Sequence, residues 1–489
     1  MTHDTLESIT AVVPPERHLI GGSWVPAVGG DLLDVVDPAT GDVVRRVPRS
    51  DARDVDNAVA AASEAFPAWR DLHPTRRADL LFAWADLCAR DAELIDTIEA
   101  IEVGRPLWNV SVAAKVLRYA AGQADKILGI TLPSTDEFSL GMTVREPLGV
   151  VASIIPWNAP TPLMATDVAP ALAAGNTIVV KPSEDAPVAC LRFAQLALEA
   201  GIPPGVVNVV TGYGHEAGAA LAAHPGIRRL SFTGSPQTGT KVMQAAAVNH
   251  VPTHLELGGK SPQIVFADAD LARAVPAIVG SLTFNAGQIC AAGTRLLVDR
   301  RIHGEVVTAV RDAMAAVTVG HWQSGSRMGP LINDRQYRRV LDYIRSGQEQ
   351  GAVLTLGGGR PASVDAERGF FVEPTLFDHV EQDMTIAQEE IFGPVLSVLP
   401  FDGEDEAIEI ANGTPYGLVA AVWTSDVGRA VRVARRLESG QVTVNTSGTG
   451  GVIGAAHGGY KRSGFGRVLG PDAILDYTQT KTIVFDAHH

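Results

Sequence analysis

The side chain best suited to covalent chemistry is Cys290, in the run FNAGQICAAGTR (284–295). Gly287 and Gly293 flank it, so the backbone can turn tightly, and Ile289 and Ala291 leave the thiol open. A thiolate attacks a carbonyl well even when only a small fraction is ionised at neutral pH. A thioester formed in this way must then be hydrolysed, and Glu256 in ELGGK (256–260) offers a general base at a predicted strand end. Each residue has a plainer reading as well: Cys290 as a small buried hydrophobe, Glu256 as a surface carboxylate at a turn.

Other candidates sit at further strand ends, where open α/β sheets gather functional residues. PWNAP (156–160) closes the apolar run GVVASIIP. There Asn158 has an uncharged NH₂ donor suited to a developing oxyanion, or to an Asx-type turn before Pro160. NTIVVKPSE (176–184) presents Lys181 and Glu184, an ammonium for phosphate or ribose oxygens and a carboxylate for ribose hydroxyls. FTGSPQTG (232–239) places Gly234 and Ser235 where a helix would open toward a pyrophosphate, although it lacks GxGxxG spacing. EEIFGPV (389–395), with Glu389, Glu390 and Phe392, reads as an acidic turn with a core aromatic, or as a hold on the far end of a cofactor.

These residues need a scaffold of strands and helices. Segment 19–47 alternates β-rich runs with Gly/Pro turns and predicts small strands or hairpins. From 51 to about 128 the period is helical: Asp51 and Asp54 cap a helix through about Phe66, and Pro74 opens another to about Arg90. In the second, Leu80, Leu81, Trp84, Leu87 and Cys88 recur at helical spacing, which makes Cys88 a core residue. Strands at 149–156, 176–183, 206–212 and 228–234 then alternate with helices at 161–174, 187–201, 215–223 and from about 236. Repeated βαβ units predict a parallel sheet covered on both faces. The alternation resumes after Glu256, with strands at 261–266, 294–299 and 395–401, and helices at 268–286, 302–316, 333–350, 404–412 and 426–438. Segments 131–146 and 473–486 fit neither unit and predict β-rich extensions that pair with another part of the chain or with another subunit.

The composition is consistent with this scaffold. The chain has 489 residues, 46% hydrophobic and 19% charged, an ordinary soluble balance. Its formal charge of −15 disfavours nucleic acid as a partner. Three cysteines, Cys88, Cys190 and Cys290, make no disulfide framework and show no zinc-ligand spacing. The expectation is a cytoplasmic protein without metal. The first residues lack the pattern of a secretory signal, and the most apolar stretch, 148–180, is broken by prolines and polar residues, so no membrane span is expected. Cys190 reads as a packing residue, and His488 and His489 are assigned no role.

Taken together, PWNAP, KPSE, FTGS, ELGGK, GQIC, EEIFGPV and GGYKRSGFGR resemble the aldehyde dehydrogenases, in order and spacing, from about residue 20 to 485. The resemblance implies an α/β chain in three parts. A Rossmann-like parallel-sheet cofactor domain would take 1–128 and 147–258, a second α/β catalytic domain 259–460, and a small β oligomerisation arm 129–146 and 473–489. It implies Cys290 as nucleophile, Glu256 as the base for water, and Asn158 with the Cys290 backbone N–H as oxyanion hole. Lys181 and Glu184 would meet the adenosine ribose. Ile155, Trp157, Ser183, Gly214, Gly234 and Ser235 would line the cofactor cleft, Glu390 and Phe392 would meet the nicotinamide ribose, and Gln336 would assist nearby. The implied cofactor is NAD, with NADP as the alternative, and the implied assembly is a homodimer or homotetramer.

Two positions depart from many members of that family. Asp167 stands where a Lys is common and Val468 where a Glu is common. The expectation is that a secondary proton route is absent and that Glu256 acts through water alone. Ala159 and Thr166 are small, and NTSGTGGVIGAAHGG (445–459) is rich in Gly, which predicts a roomy pocket for a bulky apolar or aromatic aldehyde.

Overall fold

The apolar runs of the sequence become strands sorted into two large sheets and two small ones, of which the smallest is the hairpin Leu32–Val36 with Val43–Pro48. The computed structural model describes residues 9, 11–108, 111–365, 368–447 and 452–486. The first sheet has eight strands, in the order Gly464–Phe465, Thr253–Glu256, Arg229–Thr233, Val150–Ile154, Thr177–Lys181, Val207–Val209, His18–Ile20 and Ser23–Val25. Its five inner strands from Thr253–Glu256 to Val207–Val209 run parallel. Strands such as Val150–Ile154 and Thr177–Lys181 are buried at every residue. This is why they read as continuous apolar runs rather than alternating ones.

The second sheet orders Val353–Leu356, Thr375–Asp378, Val395–Phe401, Arg295–Asp299, Pro262–Val265, Val419–Trp423 and Gln441–Val444. All its neighbours are parallel except the first pair. The third sheet joins Thr478–Asp486, Ser139–Pro147 and Thr131–Leu132 in antiparallel register. The two β-rich extensions therefore pair chiefly with each other, although Ala473–Tyr477 is a 3-10 turn and not part of the strand. Among the described residues no helix is long and apolar enough to cross a membrane.

Helix boundaries follow the capping chemistry. Asp51 and Asp54 form a reciprocal capping box, and the helix runs Ala52–Arg70, past Pro67. It extends one turn beyond the expected Phe66 because Trp69 is buried and donates to the Leu172 carbonyl. The helix Pro74–Arg90 has the expected bounds, with Cys88 fully buried in the core. Cys190 is likewise buried, and burial pushes both thiols up, away from reactivity. Two helices differ from expectation. The 215–223 segment begins as a π-helical turn, Gly214–Gly218, before Ala219–Ala222. The helix that opens at Leu271 stops at Thr283, because Asn285 and Ala286 take left-handed φ of 50° and 54°. That stop turns the chain toward Cys290.

Candidate active site

Glu256 ends its strand between two neighbours. It lies opposite Thr233 in the parallel strand and opposite Gly464 in the antiparallel one. A Cβ at Gly464, where φ is +107°, would stand 1.9 Å from the Leu255 carbonyl oxygen, so only glycine allows this strand to close. The two glycines after Glu256 serve close approach. A Cβ at Gly258 would lie 2.1 Å from Glu390 Oε2, and one at Gly259 would lie 2.7 Å from the Cys290 carbonyl oxygen. ELGGK thus lets two distant segments crowd against one turn.

Cys290 is half-buried, whereas the other two cysteines are fully covered. Burial raises its thiol above the ordinary value, against the pull of a hydrogen bond to His457. One Glu256 oxygen, the Cys290 sulfur and one His457 ring nitrogen lie within 4.8 Å of one another. His457 Nε2 is 3.1 Å from Glu256 Oε1, and the other carboxylate oxygen, Oε2, is buried without a hydrogen-bond partner. Asn158 Nδ2 donates to the Gln288 carbonyl at 3.0 Å, while Asn285 Nδ2 donates to the Asn158 carbonyl at 3.0 Å. This fastens PWNAP to the turn that carries Cys290. The structure therefore brings together Cys290, Glu256 and Asn158, which sit in separate segments of the sequence.

His457 was not among the residues singled out from the sequence. Its only signal is a lone histidine ahead of GGYKRSGFGR, with no partner at any motif spacing. Burial works against a charged ring, but the Glu256 carboxylate, with hydrogen bonds to Cys290 and Glu256, holds it up at about 10. Its backbone N–H and carbonyl both pair with Val468, each at 2.8 Å. The backbone pairing with position 468 also sets His457 against the Glu256 carboxylate. Asp167 serves elsewhere. Its carboxylate accepts from Ser153 at 2.5 Å and from Tyr477 at 3.3 Å, and burial raises it above the usual carboxylate range.

The residues expected to line a cofactor cleft fall into three groups. Lys181 and Glu184 form an ion pair at 3.0 Å. Burial lowers the Lys181 ammonium against the pull of Glu184, and burial raises Glu184, but the Lys181 charge and hydrogen bond, a backbone hydrogen bond and Arg335 together hold it below its usual range. Ser183 is buried beside them, and a Cβ at Gly218 would be 3.8 Å from Lys181 Cδ, so the turn opened by Gly214 passes close by. Gly214 itself faces open space. In the second group Gly234 donates to the Glu256 carbonyl at 3.0 Å, and Ser235 caps the helix Pro236–Ala247 through Thr238 N. Ile155 is buried at the end of the strand Val150–Ile154.

The third group surrounds EEIFGPV. Trp157 meets Phe392 edge-on, with centroids 5.5 Å apart. Gln336 Nε2 donates to the Ile391 and Phe392 carbonyls at 3.0 and 2.8 Å, which holds Phe392 in its left-handed φ of 59°. Glu390 accepts from Gly259 N at 3.0 Å, and burial pushes it up to about 7. Glu389 instead accepts from Tyr343 at the surface.

The small residues at the substrate side divide. Thr166 turns its hydroxyl to the Leu163 carbonyl and lines a small apolar pocket with Val116, Tyr119 and Leu469. Ala159 precedes the helix Pro160–Ala173 as its N-cap. Of the Gly-rich stretch 445–459, residues 448–451 lie outside the described residues. Gly454 lies against Tyr119, whose ring atoms come within 3.2 Å of a Cβ built there.

Comparison with known proteins places these residues in a family. The family model described as "Aldehyde dehydrogenase family" matches residues 24–483. "Aldehyde dehydrogenase, cytosolic 1" of Rattus norvegicus is 44% identical over 475 residues, covering 95% of this chain and 93% of the relative. "Hydroxyisobutyraldehyde dehydrogenase" of Mycolicibacterium austroafricanum is 42% identical over 479 residues, covering 97% and 94%. Among solved structures, betaine aldehyde dehydrogenase of Staphylococcus aureus in complex with NAD+ superposes with a TM-score of 0.96 at 34% identity, covering 100% of this chain and 98% of that one.

Proposed function

The chain belongs to the aldehyde dehydrogenase family, and on that premise we propose that it oxidises a bulky apolar or aromatic aldehyde to its carboxylic acid with NAD as cofactor. The observation that carries this reading is the convergence of the Cys290 sulfur and a Glu256 oxygen within 4.8 Å, beside an Asn158 fastened to the same turn.

In this reading Cys290 attacks the aldehyde carbon and forms a thiohemiacetal. The oxyanion is held by Asn158 Nδ2 and the Cys290 backbone N–H, and a donor of this kind contributes about 3–4 kcal/mol in the transition state. When bound, the nicotinamide supplies the hydride acceptor. The thioester left on Cys290 is hydrolysed by water that gives its proton to Glu256. Asn158 keeps a second amide hydrogen after the bond to Gln288, and this would serve the oxyanion.

The residues present fit the cofactor. Buried Lys181 and half-buried Glu184 form an ion pair beside the open face of Gly214 and would meet the adenosine ribose. Ile155, Trp157, Ser183, Gly234 and Ser235 would line the cleft, and Glu390 and Phe392 would meet the nicotinamide ribose with Gln336 behind them. An ionised Glu184 favours NAD over NADP, because it repels a 2′-phosphate. The aromatic preference is supported by Trp108 stacked on Phe284 at 4.8 Å, in the turn that leads to Cys290.

The division into a cofactor domain (1–128 and 147–258), a catalytic domain (259–460) and an arm (129–146 and 473–489) belongs to the same proposal. The arm would join a homodimer or homotetramer, supported by its exposed Ile130, Phe138, Leu140, Val484 and Phe485. The test is reduction of NAD by the purified protein across short aliphatic, long aliphatic and aromatic aldehydes. Faster turnover with aromatic aldehydes supports the full reading. Activity confined to the smallest aldehydes overturns the substrate class, and no reduction with any aldehyde overturns the activity.

A further inference from the structure

His457 has acceptors on both sides of its ring. Nε2 faces Glu256 Oε1 at 3.1 Å and Nδ1 faces Gln441 Oε1 at 3.0 Å. The Gln441 amide is fixed in this sense, because its Nε2 donates to the Ala456 carbonyl at 2.8 Å. A neutral imidazole has one N–H and can satisfy only one of the two acceptors, whereas an imidazolium satisfies both. The backbone pairing with Val468 holds the ring in place, and the Cys290 sulfur lies in the same cluster.

We propose that His457 is a third catalytic residue of this centre, an imidazolium that keeps Glu256 ionised through Oε1 and faces the sulfur of Cys290. The proposal rests on the reading of Cys290 as nucleophile and Glu256 as base. Glu256 is 2% exposed, so its carboxylate needs a partner cation to stay charged when bulk water is excluded. With Oε1 held by His457, the unpartnered Oε2 is the atom left to take a proton from water. In thioester hydrolysis the water oxygen bonds to the acyl carbon and its proton goes to Glu256. The carbon–sulfur bond breaks with its electron pair returning to sulfur, and the thiolate departs facing a cation. The proton on Glu256 then passes to solvent, and no other reactant is consumed.

The other charged or titratable groups around the ring do not replace it. His254, two residues before Glu256 on the same strand, is held down at about 3 by burial and stays neutral. Arg467 is turned to the Gly459 and Gly466 carbonyls. Glu390 is a carboxyl bonded to Gly259 N and supplies no cation.

The experiment compares His457→Gln, His457→Ala and Glu256→Gln in the full-length protein, with NAD binding and thermal unfolding as checks of folding. For both His457 variants we expect kcat at neutral pH to fall by roughly 100-fold, within the range for a general acid–base group. The acid limb of the pH–kcat profile should move to higher pH, with KM for the aldehyde little changed. Single-turnover mixing should show a rapid burst of reduced cofactor followed by slow release of acid. Added imidazole should restore part of the lost kcat in His457→Ala. An unchanged pH profile and kcat in folded His457→Gln, with Glu256→Gln inactive, would overturn the inference alone. Full turnover by Glu256→Gln would instead remove the reading on which it rests.

Discussion

His457 Nε2 stands 3.1 Å from Glu256 Oε1 across 201 positions of sequence. The contact exists because Gly464–Phe465 adds an edge to the strand of Glu256 and the chain then returns to pair Val468 with His457. The segment GGYKRSGFGR is therefore the clamp that sets a histidine against the acid.

This contact has a consequence for stability. The ordinary histidine value is 6.5, and the folded protein holds His457 at about 10. A group raised on folding contributes stability that is fully present below the unfolded value and is lost as pH rises through the folded one. The Tm gap between the parent and His457→Gln should therefore be widest near about pH 6 and close toward about pH 10. A gap that widens with rising pH would contradict the sign.

The opposite sign applies to His254 and His18, which burial lowers to about 3 and about 4. Their contribution is present above 6.5 and is lost as pH falls through those lower values. A His254→Asn variant should lose less Tm than the parent between neutral pH and about pH 4, read by circular dichroism. An equal loss in both proteins would show that other groups dominate acid unfolding.

Cys290→Ser and Asn158→Ala should separate the nucleophile from the oxyanion donor. Cys290→Ser should lower kcat by roughly 10⁴-fold or more, as loss of a covalent nucleophile does. Asn158→Ala should lower it by roughly 100–1,000-fold, the cost of one oxyanion donor. Both should bind NAD as the parent does, measured by quenching of protein fluorescence. Near-parental turnover by Asn158→Ala would place the oxyanion elsewhere.

Gly258→Ala tests the crowding of ELGGK against the acid behind it. The added methyl would sit 2.1 Å from Glu390 Oε2, so the Glu390 side chain must swing away. KM for NAD should rise about 10-fold, equivalent to ~1.4 kcal/mol, with little change in Tm. An unchanged KM would mean that Glu390 does not touch the cofactor.

Glu184→Gln keeps a hydrogen-bonding group beside Lys181 and removes the charge. The ratio of kcat/KM for NADP to that for NAD should rise by about 10-fold, because repulsion of a 2′-phosphate is relieved. No change in the ratio would assign cofactor choice to other residues.

The sequence by itself determined the local elements and the blocks of chemical residues. Strands buried at every position, such as Val150–Ile154, announce themselves as apolar runs. Helices such as Pro74–Arg90 can be bounded from the proline that opens them and the helical period that follows. Cys290, Glu256 and Asn158 were legible because each sits in a motif of its own at a strand end or tight turn. Only the tertiary structure decided which of these motifs touch. The left-handed turn at Asn285 and Ala286, the partnership of the two β extensions, and the meeting of Glu390 with Gly258 depend on contacts between segments far apart in the chain. His457 is the clearest case. Nothing in its neighbours distinguishes it, and it is raised above the ordinary histidine value by a carboxylate delivered by another strand. Local pattern reports what a segment prefers by itself, whereas a protonation state follows from the groups that the fold packs around it.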